Sequence, residues 1–110
     1  MSQDRLEMIL DMLKHNADDT FLRYAVALEY VKLDQKEKAI QYLKSLVKDF
    51  PDYLATYYQL GKLLEEKGKT DKAIEIYKQG REVAKTQKDS KTLGELGEAL
   101  MILDVYDEEF

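Results

Sequence analysis

Apolar positions recur along the chain at helical spacing, in six blocks separated by short polar breaks. Leu6, Ile9, Leu10 and Leu13 form one stripe over residues 4 to 15, with Met8 and Met12 beside it. Asn16 then suits the end of that helix, and Asp18 suits the start of a second over residues 19 to 33. Asp34, followed three residues later by Glu37, matches a capping box at the head of a third helix. That helix carries Ala39, Ile40, Leu43, Leu46 and Val47 and stops near Phe50-Pro51. A fourth helix is expected over 53 to 66, closed by Gly68, whose missing Cβ suits a left-handed cap. Thr70 can cap a fifth, running through Ala73, Ile74, Ile76 and Tyr77 to Val83 or Ala84, with 85 to 90 as a polar loop or frayed end. A sixth, through Leu93, Leu96, Leu100 and Ile102, contains Gly94 and Gly97, each costing about 1 kcal/mol relative to alanine. Their presence points to close packing or to a loosely held last helix.

The blocks repeat. Lys38-Ala39-Ile40 returns as Lys72-Ala73-Ile74, and Asp18 and Tyr24 return as Asp52 and Tyr58, always 34 residues on. A fixed period of this length is the mark of an array built from helix-turn-helix units, each burying its apolar face against its neighbours.

On these residues the chain resembles the tetratricopeptide repeat family, whose signature is W-x2-L-G-x2-Y, then A-x3-F, then P. Tyr57 stands at the tryptophan slot of one repeat, Leu60-Gly61 match directly, Leu64 replaces the tyrosine, and Ala73 and Tyr77 fill the next two slots. Val26, Ala27, Tyr30, Ala39, Leu43 and Pro51 fall in the same slots one period earlier, whereas Arg23 departs from the pattern at the tryptophan slot and Lys85 at the later proline. Ile9, Met12 and Leu13 lie 34 residues before Leu43, Leu46 and Val47, so the first helix resembles the second half of a preceding repeat. Leu96-Gly97 and Leu100, displaced by two residues, give the last helix the look of a following first half.

The resemblance implies an all-α fold of about six antiparallel helices in a short right-handed superhelical array. Its parts would be a partial repeat at 4–16, full repeats at 18–51 and 52–85 and a closing helix at 90–103, together a 1–103 domain followed by an acidic tail at 104–110. It also implies a concave groove lined by the first helices of the repeats. By slot the groove residues are Phe21, Tyr24, Ala25, Leu28 and Val31, then Ala55, Tyr58, Gln59 and Lys62, with Glu65 after them and Lys91, Glu95 and Glu98 following on the closing helix. Family members that grip the carboxylate tail of heat-shock chaperones use lysine, arginine and asparagine in such places; Tyr24, Leu28 and Gln59 do not supply that clamp.

The second helix is apolar almost all round, through Phe21, Leu22, Tyr24 to Leu28, Tyr30, Val31 and Leu33, where a surface helix ordinarily keeps a wet face. It is either an apolar contact surface or a face covered by the first helix. Tyr24 and Tyr58, flat amphipathic rings in one repeated groove slot, are the first candidates for contacting a partner. Tyr42, Tyr57 and Tyr77 fall on packing slots. The groove residues of the first repeat are apolar and those of the second polar, so a ligand is expected to be apolar at one end and polar at the other.

Charge narrows the functions. The net charge is −5, of which Asp104, Asp107, Glu108 and Glu109 supply −4, and elsewhere lysines alternate with carboxylates. No basic stripe exists to exchange counterions for phosphates, so a nucleic-acid partner is not expected. No apolar run is long enough to span a bilayer, and the start Met1-Ser2-Gln3-Asp4-Arg5 does not read as a secretory signal, so no membrane partner and a cytoplasmic location are expected. Cysteine is absent, and the single histidine, His15, sits where a helix dipole favours a partly positive ring. Glu65-Glu66 and Glu108-Glu109 are consecutive and diverge on a helix. With no phosphate loop and no metal-ligand spacing, no enzyme, cofactor or metal is expected. The expected function is a protein interaction scaffold or adaptor holding a partner's peptide or helix. The alternative is a self-associating module, a homodimer through the apolar helix of the first repeat. The acidic tail is either solvated or docks through Val105, Tyr106 and Phe110 into its own or another molecule's groove.

Overall fold

A computed structural model describes residues 2–103. Among them are six helices and no strand: α1 (Ser2–His15), α2 (Thr20–Lys32), α3 (Lys36–Asp49), α4 (Ala55–Glu66), α5 (Thr70–Gln87) and α6 (Ser90–Ile102). The acidic segment 104–110, and with it the docking idea for Val105, Tyr106 and Phe110, lies outside the described residues. Two compact units divide between Tyr53 and Leu54, close to the boundary of the 34-residue echo.

In the first unit α2 packs against both α1 and α3. The turns between these helices are short, so neighbours run antiparallel. Val26 and Ala27 of α2 and Ala39, Leu43 and Leu46 of α3 are buried in the core of this unit, as is Leu6 of α1. Ile9, Leu10 and Leu13 are half-buried, while Met8 and Met12 are exposed. Glu29, within the nearly all-apolar helix, is only 4% exposed, and its Oε1 takes ion pairs from Arg5 Nη1 at 3.6 Å and Lys32 Nζ at 3.4 Å. The pairing offsets part of the cost of burying a carboxylate and fixes α1 against that side of α2.

Arg23 is integrated rather than misplaced. Its guanidinium donates to Ser45 Oγ at 2.7 Å and Asp49 Oδ2 at 3.0 Å, and lies 5.5 Å from the centre of the Phe50 ring. A planar cation stacked on a ring fills the slot where the repeat pattern has a flat indole, while its donors satisfy α3.

In the second unit α5 packs against both α4 and α6. Tyr57, Leu60 and Leu64 of α4, Ala73 and Tyr77 of α5, and Leu96 and Leu100 of α6 form the core. Two glycines allow the helices to approach. A Cβ on Gly61 would penetrate the Tyr77 ring, and one on Gly80 would lie 2.7 Å from Tyr57 Cβ.

Several helix ends correct the sequence expectations. The cap of α2 is Asp19, not Asp18; its Oδ1 accepts from the Leu22 N–H at 3.0 Å. Asp34 does not open α3 as a capping box. It adopts φ 59°, and the N–H groups of Asp34 and Gln35 donate to Val31 and Tyr30 carbonyls, closing α2 in a Schellman arrangement. The α3 cap position falls to Gln35, with no side-chain cap bond. Thr70 is the first residue of α5 rather than its cap, which is Lys69. The expected loop at 85 to 90 is helical to Gln87, since nothing before the left-handed Lys88 stops the helix. Asp89 then caps α6 by accepting from the Thr92 N–H at 3.0 Å, and these hydrogen bonds hold its carboxyl below the usual range. Gly97 is buried, but Gly94 faces open space, so close packing does not account for Gly94.

Candidate binding faces

Each unit presents a face on the first helix of its repeat. On α2 the positions Phe21, Tyr24, Ala25, Leu28 and Val31 recur every three or four residues and so share one side of the helix. Phe21 is 66% exposed and the other four are half-buried. The face therefore stays accessible, and α1 does not bury it outright. The Tyr24 ring meets Tyr53 edge-on, with centroids 5.5 Å apart and planes at 66°, which fixes its orientation. Tyr53 was not distinguishable as its partner in sequence, where it reads as the head of the fourth helix; α4 begins only at Ala55, and Tyr53 lies in the connection before it.

On α4, Ala55 and Lys62 are exposed while Tyr58 and Gln59 are half-buried. The Tyr58 ring lies 6.3 Å from that of Tyr77, and Lys62 Nζ stands 6.0 Å from its centre. The Tyr77 hydroxyl donates to Glu65, a residue of the same α4 side. Burial, then this hydrogen bond and the Glu65 charge, raise the Tyr77 phenol well above its ordinary range, so it stays neutral and acts as a donor. Tyr58 and Lys62 share a cleft of about 310 Å³ with Glu95, Glu98, Ala99 and Ile102 of α6. Thus the second unit brings Tyr58 and Lys62 together with two of the three closing-helix residues. Lys91 is exposed and does not line the cleft.

The remaining tyrosines among the described residues serve packing. Tyr57 and Tyr77 are buried, and Tyr42 is half-buried with its ring 5.7 Å from Tyr30. His15 is exposed at the end of α1, its Nδ1 3.1 Å from the Asp11 carbonyl oxygen.

A family model described as tetratricopeptide repeat matches residues 30–95, more than half the chain. The chain belongs to the tetratricopeptide repeat family. It is 28% identical over 99 residues to the TPR repeat-containing protein PA0015 of Pseudomonas aeruginosa, covering 90% of this chain and 94% of that one. The crystal structure of a tetratricopeptide repeat domain protein from Salinibacter ruber is 44% identical, with a TM-score of 0.75, and the match covers 79% of this chain and 97% of that chain. Protein BPP2914 of Bordetella parapertussis, solved in solution, is 25% identical with a TM-score of 0.78, over 93% of this chain and 89% of that chain. These tetratricopeptide likenesses agree with the six-helix, strand-free architecture and with a module of protein–protein interaction. No helix among the described residues is long and apolar enough to cross a membrane.

Proposed function

We propose that this tetratricopeptide protein is a non-catalytic scaffold that binds partner protein on the exposed side of α2 in its first unit and on that of α4 in its second. The observation that supports this most directly is the α2 face, where Phe21 stands largely in solvent at the head of the half-buried stripe Tyr24, Ala25, Leu28 and Val31. Contiguous accessible apolar surface on a small domain is costly to keep wet and gains free energy when a ligand covers it. Tyr24 and Tyr58 serve as anchors, since an aromatic ring brings large contact area with few rotatable bonds to immobilise. Gln59 supplies hydrogen bonds beside Tyr58. The proposed setting is the cytoplasm.

The test is site-specific photo-crosslinking in the native cell, with benzoylphenylalanine in place of Phe21 or Gln59 and, as control, of the exposed Glu75 on α5. A single partner peptide crosslinked from the first two positions and not from the third supports the scaffold. Equal crosslinking from all three overturns it. Light scattering across concentration separates the occupants: a dimer that Leu28→Asp abolishes makes a second copy the partner.

A further inference from the structure

We propose that the cleft between α4 and α6 receives a basic side chain, an arginine above all, from the partner segment. The proposal rests on the scaffold reading above and adds the chemistry of what is held.

Glu95 and Glu98 lie three residues apart on α6, and Ala99 and Ile102 continue the same side of the helix. Both carboxylates are exposed, and neither makes an ion pair with another described residue. Among the described residues Lys62 is the one cation lining the cleft, so these walls carry an excess of one negative charge. Opposite stands the half-buried Tyr58 ring, which already has a cation at its face: Lys62 Nζ, 6.0 Å from the centroid, at the outer edge of useful cation–π range. A guanidinium fits this arrangement better than an ammonium. It is flat enough to lie on Tyr58, and its fork of donors can serve carboxylates spaced one helical turn apart. Ile102, 75% exposed, offers the aliphatic stem an apolar bank, so only the charged head needs to meet the glutamates. An acidic segment or a phosphate would meet two unpaired carboxylates and is disfavoured. Lys62 is then a competitor for the ring face, present in the free protein and displaced in the complex.

The measurement is an NMR titration of the full, isotope-labelled chain with three blocked dodecapeptides. They share one leucine–alanine–serine background and carry arginine, glutamine or glutamate at one central position. Arginine should bind about tenfold more tightly than glutamine and glutamate more weakly still, with the largest shifts at Tyr58, Glu95, Glu98 and Ile102. The Glu95→Gln/Glu98→Gln double variant should lose the arginine preference without a change in melting temperature, and Lys62→Ala should raise arginine-peptide affinity severalfold. Peptides that bind this cleft with equal affinity overturn the charge assignment and leave the scaffold standing. Arginine-peptide shifts confined to other surfaces, or no binding of that peptide, overturn the assignment of this cleft. If benzoylphenylalanine at Phe21 and Gln59 also captures nothing, the scaffold reading fails with it.

Discussion

Asp34 and Gly68 hold the same left-handed turn, φ 59° and 77°, at the ends of α2 and α4, one 34-residue period apart. In both places the N–H of the left-handed residue and of the next one return to carbonyls in the last turn of the helix. The backbone demand is identical, but only glycine meets it without a Cβ penalty. Replacing Asp34 with glycine should stabilise the protein by about 0.5–1 kcal/mol, the relief being partly offset by the freer unfolded chain. Gly68→Ala should destabilise by about 1 kcal/mol. Each change would appear as a melting shift of roughly 4–8 °C per kcal/mol. A destabilising Asp34→Gly would instead restore the capping role that sequence assigned to the aspartate.

Gly80 and Gly94 make opposite predictions from the same residue type. Both lie in helices, where alanine gains about 1 kcal/mol over glycine. Gly94 has nothing within 4 Å of a built Cβ, so Gly94→Ala should realise that gain in full. At Gly80 the added methyl meets Tyr57 Cβ at 2.7 Å and Leu96 Cδ1 at 2.9 Å. Tyr57 Cβ is tied to its backbone and cannot swing aside. Gly80→Ala should cost about 1–3 kcal/mol in urea unfolding despite its better propensity. Similar effects at the two sites would mean that α5 does not approach α4 this closely.

What could be read from the sequence follows the range of the interactions involved. Ala39, Leu43, Ala73 and Tyr77 sit in the core because the apolar period and the 34-residue echo both specify one buried side. Gly61 was legible as part of a motif, though its reason, the Tyr77 ring lying over it, is tertiary. The helix ends were misassigned where two readings share one composition. Asp34 before Glu37 suits a cap, yet an aspartate also tolerates a left-handed turn, and closure of α2 decides between them. Arg23 at an indole slot was opaque because Ser45, Asp49 and Phe50, which hold it, are over twenty residues away. The Tyr58, Lys62, Glu95 and Glu98 cleft was only half visible, since slot matching names α6 residues without saying which of them face α4.

Arg23 should contribute more than its ion pair. Its side chain is 13% exposed, whereas that of Asp49 is 48% exposed, so the carboxylate keeps much of its solvation. Asp49→Ala should therefore cost only about 0.5 kcal/mol, less in high salt. Arg23→Ala removes the Ser45 hydrogen bond, the Phe50 stacking and the packed stem together, and about 2 kcal/mol is expected. Arg23→Lys should recover less than half of that, because one ammonium cannot cover the ring and both oxygens. If Asp49→Ala proves as costly as Arg23→Ala, charge pairing and not packing explains the residue.

Tyr77 sets an alkaline limit on stability. Its phenol is raised above the ordinary 10.0 by burial first, then by donating to Glu65 and by that carboxylate's charge; Tyr42 is raised too, again chiefly by burial. Because the folded pKa exceeds the unfolded one, the stabilisation is complete below pH 10 and declines as pH rises beyond it, where the unfolded chain releases the proton first. The decline approaches about 1.4 kcal/mol per pH unit for each such group. Tyr77→Phe should cost about 1–2 kcal/mol at pH 7, through the lost donor to Glu65. From pH 10 to 11.5 the variant should lose stability less steeply than the wild type, so the gap narrows as lysine deprotonation acts on both proteins alike. Denaturant unfolding at half-unit pH steps measures the two slopes, and parallel curves would show that the Tyr77 proton is not held by the fold.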